Sequence, residues 1–203
     1  MMAFILVCAY LLGSIPFGLL LSKLFLDIDI RTIGSGNIGA TNVLRSGNKK
    51  IAFLTLFCDG LKGVLAVVIA MSFQKQYGDS IPQNILQMLP LLAAIFAILG
   101  HVFPVWLKFK GGKGVATALG VIVPFDPILF FAVCLLWLIT AKCFRISSLS
   151  ALIAFGLSPF VSYFLGADIS FLMFLIGLFF LLLWTHRDNV CRILNGQEGK
   201  IIP

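Results

Sequence analysis

Charge is what this chain lacks most: 11% of its 203 residues are Asp, Glu, Lys or Arg, and only eight are acidic. A soluble domain carries roughly a quarter, so an ordinary water-soluble globule is excluded. Histidine is scarce too, with two residues, and the five cysteines (Cys8, Cys58, Cys134, Cys143, Cys191) show no paired spacing. Three of them lie in apolar runs, so neither a disulfide framework nor a metal site is implied. No basic segment precedes the first apolar run and no small-residue cleavage pattern follows it. That run is therefore expected to remain as the first membrane span.

Apolar residues make up 60% of the chain, 20 of them Phe, and the mean hydropathy is +1.07. Backbone at that hydropathy belongs in lipid, where only helices or closed barrels satisfy its polar groups. The apolar runs are continuous rather than alternating, which selects helices. Segments at about 3–25, 51–72, 87–106, 148–166 and 169–185 each approach the twenty or so residues that a span needs. Residues 115–140 contain Pro124-Phe125-Asp126-Pro127, which allows either one kinked helix or two short ones that reverse there.

Charge placement chooses between them. If the chain reverses at the prolines, one side of the membrane holds Arg31, Arg45, Lys49, Lys50, Lys108, Lys110, Lys113, Lys142, Arg145, Arg187, Arg192 and Lys200. The other holds Lys75 with Asp79, Asp126 and Asp168. A single kinked span would put the last five of those basic residues outside, against the positive-inside rule. The expectation is an all-α integral membrane protein with seven transmembrane helices, the N-terminus outside and the C-terminus cytoplasmic. No linker or soluble domain interrupts it, so residues 1–203 are expected to form one domain.

Four polar clusters fall on or beside the inner side. The first runs Gly34-Ser35-Gly36-Asn37-Ile38-Gly39-Ala40-Thr41-Asn42, followed by Arg45. Its glycines match G-x-G-x-x-G, but that fingerprint needs a preceding strand and a βαβ unit. What remains is physical: glycine backbone N–H groups converge on an anion, Ser35, Asn37, Thr41 and Asn42 add hydrogen bonds, and Arg45 adds a bidentate charge. The second cluster sets Lys108, Lys110 and Lys113 around Gly111-Gly112 and Gly114, just ahead of an apolar run. It is not a Walker A loop, yet a helix N-terminus beside it would make an anion site. Membrane anchoring explains the lysines but not the glycines.

The third cluster is the tail after the last span, where His186, Asn189 and Arg192 share a face if the helix continues. The fourth is Asp59 and Lys62, three apart in the second span. Charges in a membrane helix are costly and face the protein interior. We read them as an ion pair holding the inner loops, with proton or ion coupling in a transporter as the rival. A membrane-face site rich in phosphate-binding groups suits a reaction joining a long acyl chain to a soluble anion. A secondary transporter of an organic phosphate is the alternative from another class, disfavoured because no inverted repeat is visible.

Gly34 to Asn42 with Arg45, Phe-Pro-Val-Trp-Leu-Lys-Phe-Lys-Gly-Gly-Lys-Gly-Val-Ala-Thr at 103–117, and His-Arg-Asp-Asn-Val-Cys-Arg-Ile-Leu-Asn-Gly-Gln-Glu-Gly-Lys at 186–200 closely resemble bacterial membrane-integral glycerol-3-phosphate acyltransferases that use acyl phosphate. The resemblance covers nearly the whole chain, including Gly13-Ser14-Ile15-Pro16. It implies seven spans, a cytoplasmic-facing site in the bacterial inner membrane, and the first acylation of phospholipid synthesis. The implied partners are glycerol 3-phosphate, long-chain acyl phosphate and membrane lipid, with no nucleic acid, no cofactor and no metal.

By matching position, the resemblance implies that Ser35, Arg45, Lys113, His186 and Asn189 bind glycerol 3-phosphate and organise the reaction. Gly34, Gly36, Asn37, Gly39, Thr41, Gly111 and Gly112 would hold the acyl phosphate; Asn42, Lys110 and Arg192 join them as substrate-holding candidates. The residues five after His101 and His186 are Trp106 and Cys191, so the His-x-x-x-x-Asp dyad of coenzyme-A-dependent acyltransferases is absent. Two routes stay open for the hydroxyl proton: transfer to a substrate phosphate oxygen, or His186 as general base.

Overall fold

The computed structural model describes residues 1–77 and 86–201; Asp79, expected on the outer side, lies outside them. Regular structure among the described residues is entirely helical, and the chain divides into two compact units, Met1–Pro124 and Phe125–Pro203.

The first unit contains α1 (Met2–Ser14), α2 (Phe17–Leu26), a 3-10 turn (Ile30–Thr32), α3 (Ala40–Arg45), α4 (Lys49–Tyr77), α5 (Leu89–Val102), a second 3-10 turn (Val105–Leu107) and α6 (Val115–Ile122). The expected first span at 3–25 is thus two helices broken at Ile15 and Pro16. Proline has no N–H to donate and pushes its predecessor out of the helical region; Ile15 is extended, with ψ 116°. Small residues bring α1 and α5 together. A Cβ on Gly13 would lie 2.1 Å from the Ala97 carbonyl oxygen, and one on Gly100 would lie 2.2 Å from that of Tyr10. Such close backbone approach is how membrane helices gain packing without a hydrophobic driving force. Tyr10 adds a hydrogen bond from its hydroxyl to the Phe103 carbonyl at 2.7 Å.

The second unit contains α7 (Pro127–Phe144), α8 (Ser147–Phe164), α9 (Ile169–Thr185) and α10 (Arg187–Leu194). Asp126 and Asp168, both expected outside, cap α7 and α9: each side chain accepts two backbone N–H groups of the first turn. Packing runs from α7 to α8, from α8 to α9, and from α10 to both α8 and α9. The tail is tied back by a hydrogen bond from the Ile201 N–H to the Arg145 carbonyl at 2.7 Å.

The stretch at 115–140 is two helices, separated between Ile122 and Pro127, rather than one kinked helix. Its first half, α6, has eight residues and so is about 12 Å long, too short to cross a hydrocarbon core of about 30 Å alone. Among the described residues five helical segments can span by length and composition, or six if α9 and α10, bent by 65°, count as one. Large apolar side chains such as Phe4, Phe53, Phe131, Phe160 and Phe164 stand exposed on the helices, as lipid-facing residues do.

Candidate active site

The glycine-rich loop of the first unit is built around one amide. Asn42, buried on α3, accepts the Ser35 N–H at 2.9 Å through Oδ1. Its Nδ2 lies 2.9 Å from the Ile30 carbonyl, 3.0 Å from that of Ile33 and 2.8 Å from that of Asn37. Both ends of this amide are therefore committed to the loop, whose backbone Asn42 shapes. Gly34 adopts φ +56°, and a Cβ there would meet Asn42 Oδ1 at 2.5 Å and Arg45 Cδ at 3.0 Å. Only glycine fits this left-handed turn while letting the Arg45 side chain lie across it. Asn37 Oδ1 accepts the Gly39 N–H at 3.1 Å, and α3 begins immediately after, with Thr41 in its first turn. A third of what reads as loop is thus helix.

The lysine-rich loop folds back on the end of α5. The Gly111 N–H donates to the Val102 carbonyl at 3.1 Å and the Gly112 N–H to the His101 carbonyl at 3.0 Å. Lys108 and Phe109 both take positive φ, 52° and 62°, a conformation unfavourable for residues with a Cβ. Their turn is held by N–H donation from Phe109 to Pro104 at 3.0 Å and from Lys110 to Leu107 at 3.1 Å. Beyond Gly114 the chain enters α6, so Lys113 sits just ahead of a helix N-terminus, half-buried.

These two loops meet. Arg31, Gly36 and Ile38 line one side of a cavity of about 560 Å³, and Trp106, Leu107, Lys108, Lys110 and Gly111 line the other. Of the expected site residues, Gly36, Lys110 and Gly111 face this space. Arg31 was counted in the sequence only as an inner-side charge. Asp29 orients it through a 2.6 Å ion pair; the hydrogen bonds from Arg31 hold the Asp29 carboxyl well below the usual carboxylate range.

Asp59 and Lys62 pair at 2.8 Å with side chains 2% and 1% exposed. The Lys62 ammonium also donates to the Ile15 carbonyl at 2.8 Å, the acceptor released where Pro16 breaks the first span.

The tail places its polar residues in the second unit. The helix does not continue through His186 as the shared-face reading requires; it bends by 65° there. His186 is buried, and its Nδ1 lies 2.8 Å from the Leu182 carbonyl. A carbonyl only accepts, so Nδ1 carries a proton, and in the neutral ring Nε2 is then the acceptor. Asn189 and Arg192 do come together, through a residue that sequence reasoning left without a role. Glu198 accepts from the Asn189 amide and from Ser148 Oγ at 2.8 Å on Oε1, and from Arg192 Nε at 2.7 Å on Oε2. Burial raises its pKa, but the hydrogen bonds from Asn189, Ser148 and Arg192 outweigh it and leave the carboxyl below its ordinary value. The signal was available: an acidic residue set between Arg192 and Lys200 in a tail with more basic than acidic residues.

The family model for glycerol-3-phosphate acyltransferase matches residues 3–196. A glycerol-3-phosphate acyltransferase of Bartonella henselae is 51% identical, covering 95% of this chain and 88% of the relative. One from Jannaschia sp. is 49% identical over 95% and 89% of the two chains. Among solved structures, PlsY (YgiH), an integral membrane glycerol 3-phosphate acyltransferase, in its glycerol 3-phosphate form superposes with a TM-score of 0.87 at 37% identity, covering 98% of this chain and 94% of that one. Its lysophosphatidic acid form gives 0.86 at 36% identity. The chain belongs to the glycerol-3-phosphate acyltransferase family. It is an integral membrane protein of that bacterial family.

Proposed function

We propose that the chain transfers a fatty acyl group from acyl phosphate to the 1-hydroxyl of glycerol 3-phosphate, giving lysophosphatidic acid and inorganic phosphate. The observation that carries this reading is the cavity where two glycine-bearing loops and three basic side chains, Arg31, Lys108 and Lys110, converge. Such a site suits doubly charged phosphate groups and needs no thioester chemistry. The glycerol 3-phosphate and lysophosphatidic acid forms of the solved relative support the choice of acceptor and product.

In this mechanism the glycerol O1 forms a bond to the acyl carbonyl carbon. The bond from that carbon to the phosphate oxygen breaks, and phosphate leaves with the electron pair. The backbone at Gly34, Gly36, Gly39, Gly111 and Gly112, with Asn37 and Thr41, holds the acyl phosphate. Ser35, Arg45, Lys113, His186 and Asn189 bind glycerol 3-phosphate and stabilise charge developing in the transition state. Lys110 adds positive charge at the cavity, while Asn42 and Arg192 act by holding neighbours. The hydroxyl proton passes to a substrate phosphate oxygen.

A second reading makes His186 the base, and the hydrogen bond from Nδ1 to Leu182 favours it by leaving Nε2 as acceptor. His186→Asn separates the two: substantial kcat supports the phosphate route, while collapse of kcat with loss of the acidic limb of the pH–rate profile supports the imidazole.

We place the protein in the bacterial inner membrane with seven passes, N-terminus outside, C-terminus and reaction on the cytoplasmic side, the fourth pass made by α6 together with the non-helical segments on either side of it. Both units, residues 1–203, serve one acyltransferase activity. The test is acyl transfer by purified protein without divalent metal, offering palmitoyl phosphate or palmitoyl coenzyme A with glycerol 3-phosphate. Product from acyl phosphate alone is expected. Product only from the thioester would refute the donor, and no product together with uptake of labelled glycerol 3-phosphate into sealed vesicles would establish transport instead.

A further inference from the structure

His101 has no part in the reaction as read so far, yet it is buried between the ion pair of α4 and the lysine-rich loop. Its Nδ1 lies 2.9 Å from the Lys62 ammonium. The Lys62 ammonium also donates to the Ile15 carbonyl at 2.8 Å and forms its ion pair with Asp59 Oδ1 at 2.8 Å. Nδ1 must be the unprotonated nitrogen to accept, which puts the ring proton on Nε2. Asp59 Oδ1 is 3.6 Å from Nδ1, too far to compete for that role.

The other edge of the ring meets the loop. A Cβ on Gly112 would lie 2.1 Å from His101 Nε2, 2.9 Å from Cε1 and 3.0 Å from Cδ2. The Gly112 backbone is thus pressed against the imidazole, while its N–H is held by the carbonyl of the same histidine at 3.0 Å. One residue fixes the diglycine turn from both its main chain and its side chain. The imidazole in turn is fixed by a lysine whose remaining bonds are to Asp59 and to the break in the first span.

We infer that His101 is a positioning residue for the phosphate-holding turn at Gly111 and Gly112, its imidazole locked by the buried Asp59 and Lys62 pair so that the loop backbone keeps its binding shape. This rests on the acyltransferase reading only for the identity of the ligand. It converts the buried charges from a general brace into a specific one that ends on Gly112.

The test uses His101→Asn, in which the side-chain oxygen stands where Nδ1 was and still accepts from Lys62. The two ring atoms nearest Gly112, Nε2 and Cε1, are deleted. The expected result is a rise in KM for acyl phosphate of about 10- to 100-fold, the scale on which small misplacements act, with kcat and the KM for glycerol 3-phosphate near wild type and unfolding unchanged. Gly112→Ala in the wild-type background forces the methyl into the imidazole; in the His101→Asn background the contacts at 2.1 and 2.9 Å are gone and only the one at 3.0 Å remains, so the two defects do not multiply. An unchanged KM in His101→Asn, or defects that multiply, would overturn the inference.

Should His101→Asn fail to fold, the wild-type protein answers by nitrogen NMR of labelled histidine, with two histidines to distinguish. His101 is expected as the Nε2–H tautomer whose signal moves when inorganic phosphate is added; the Nδ1–H tautomer, or a signal indifferent to phosphate, contradicts the proposal. Absence of acyl transfer by the wild-type protein would instead remove the reading of the ligand, and the tautomer measurement would still stand.

Discussion

Two polar centres hold the basic residues of this protein in place, and they do so by different physics. In the first unit Asp59, Lys62 and His101 are sealed among helices, with side chains at most 4% exposed. In the second, Glu198, its side chain 6% exposed, gathers Asn189, Ser148 and an Arg192 whose own side chain is 41% exposed. A buried ion pair is expensive to bury and more expensive to break, because the survivor is left charged in low dielectric. A carboxylate clamp whose cationic partner reaches solvent is graded by salt and pH. The first suits a backbone turn that must never move, and the second suits side chains on a tail.

Breaking the buried centre has the largest effect. Asp59→Ala leaves an unpaired ammonium and is expected to lower stability by about 3–5 kcal/mol, read as the unfolding midpoint in detergent. The double change Asp59→Leu with Lys62→Met costs much less than that single change if burial of an uncompensated charge is the cause. Next comes Asn42→Ala, which strands the Ser35 N–H and three loop carbonyls. A loss of about 1–3 kcal/mol for unsatisfied buried groups is expected, together with a raised KM for acyl phosphate. Glu198→Gln keeps the shape of the tail clamp but removes its charge; a net loss of about 1–2 kcal/mol follows from its charge-assisted bond to Arg192, with a fall in kcat/KM as Asn189 and Arg192 loosen.

Acid sharpens the contrast. The Glu198 carboxyl is lowered in the folded state, so its contribution is complete above the ordinary glutamate value of about 4.3. It is lost as pH falls through the lower folded value. Hydrogen exchange in α10 is expected to rise over that window and to rise with added salt at neutral pH, while α4 stays unchanged. The smallest effect is at the exposed pair: Asp29→Asn frees Arg31 and is expected to shift KM slightly without moving the unfolding midpoint.

The sequence placed most of this architecture. Four of the five long apolar runs are single helices close to their expected limits, and the proline cluster at 124–127 divides 115–140 into two helices. The break at Ile15 and Pro16 was harder to see, because its compensation comes from Lys62, 47 residues away in the chain. The bend at His186 was hidden too, since the polar residues after it have helical spacing and periodicity cannot report a change of axis. Motif spacing singles out Gly36, Lys110 and Gly111, which face one cavity, whereas composition shows that Asn42 carries an amide but not which backbone groups that amide bonds. His101 and Glu198 act through single contacts with distant residues, and no local pattern announces such contacts.

The central claim is that the two inner loops of the first unit handle substrate phosphate together. Steady-state lysophosphatidic acid formation from palmitoyl phosphate, compared among wild type, Arg45→Ala, Lys113→Ala and the double variant, tests it most directly. Residues acting as one unit lose activity non-additively: each single change is expected to lower kcat/KM at least about 100-fold, with little further loss in the double. Near-wild-type turnover in either single variant, or losses that multiply in the double, would contradict a shared site.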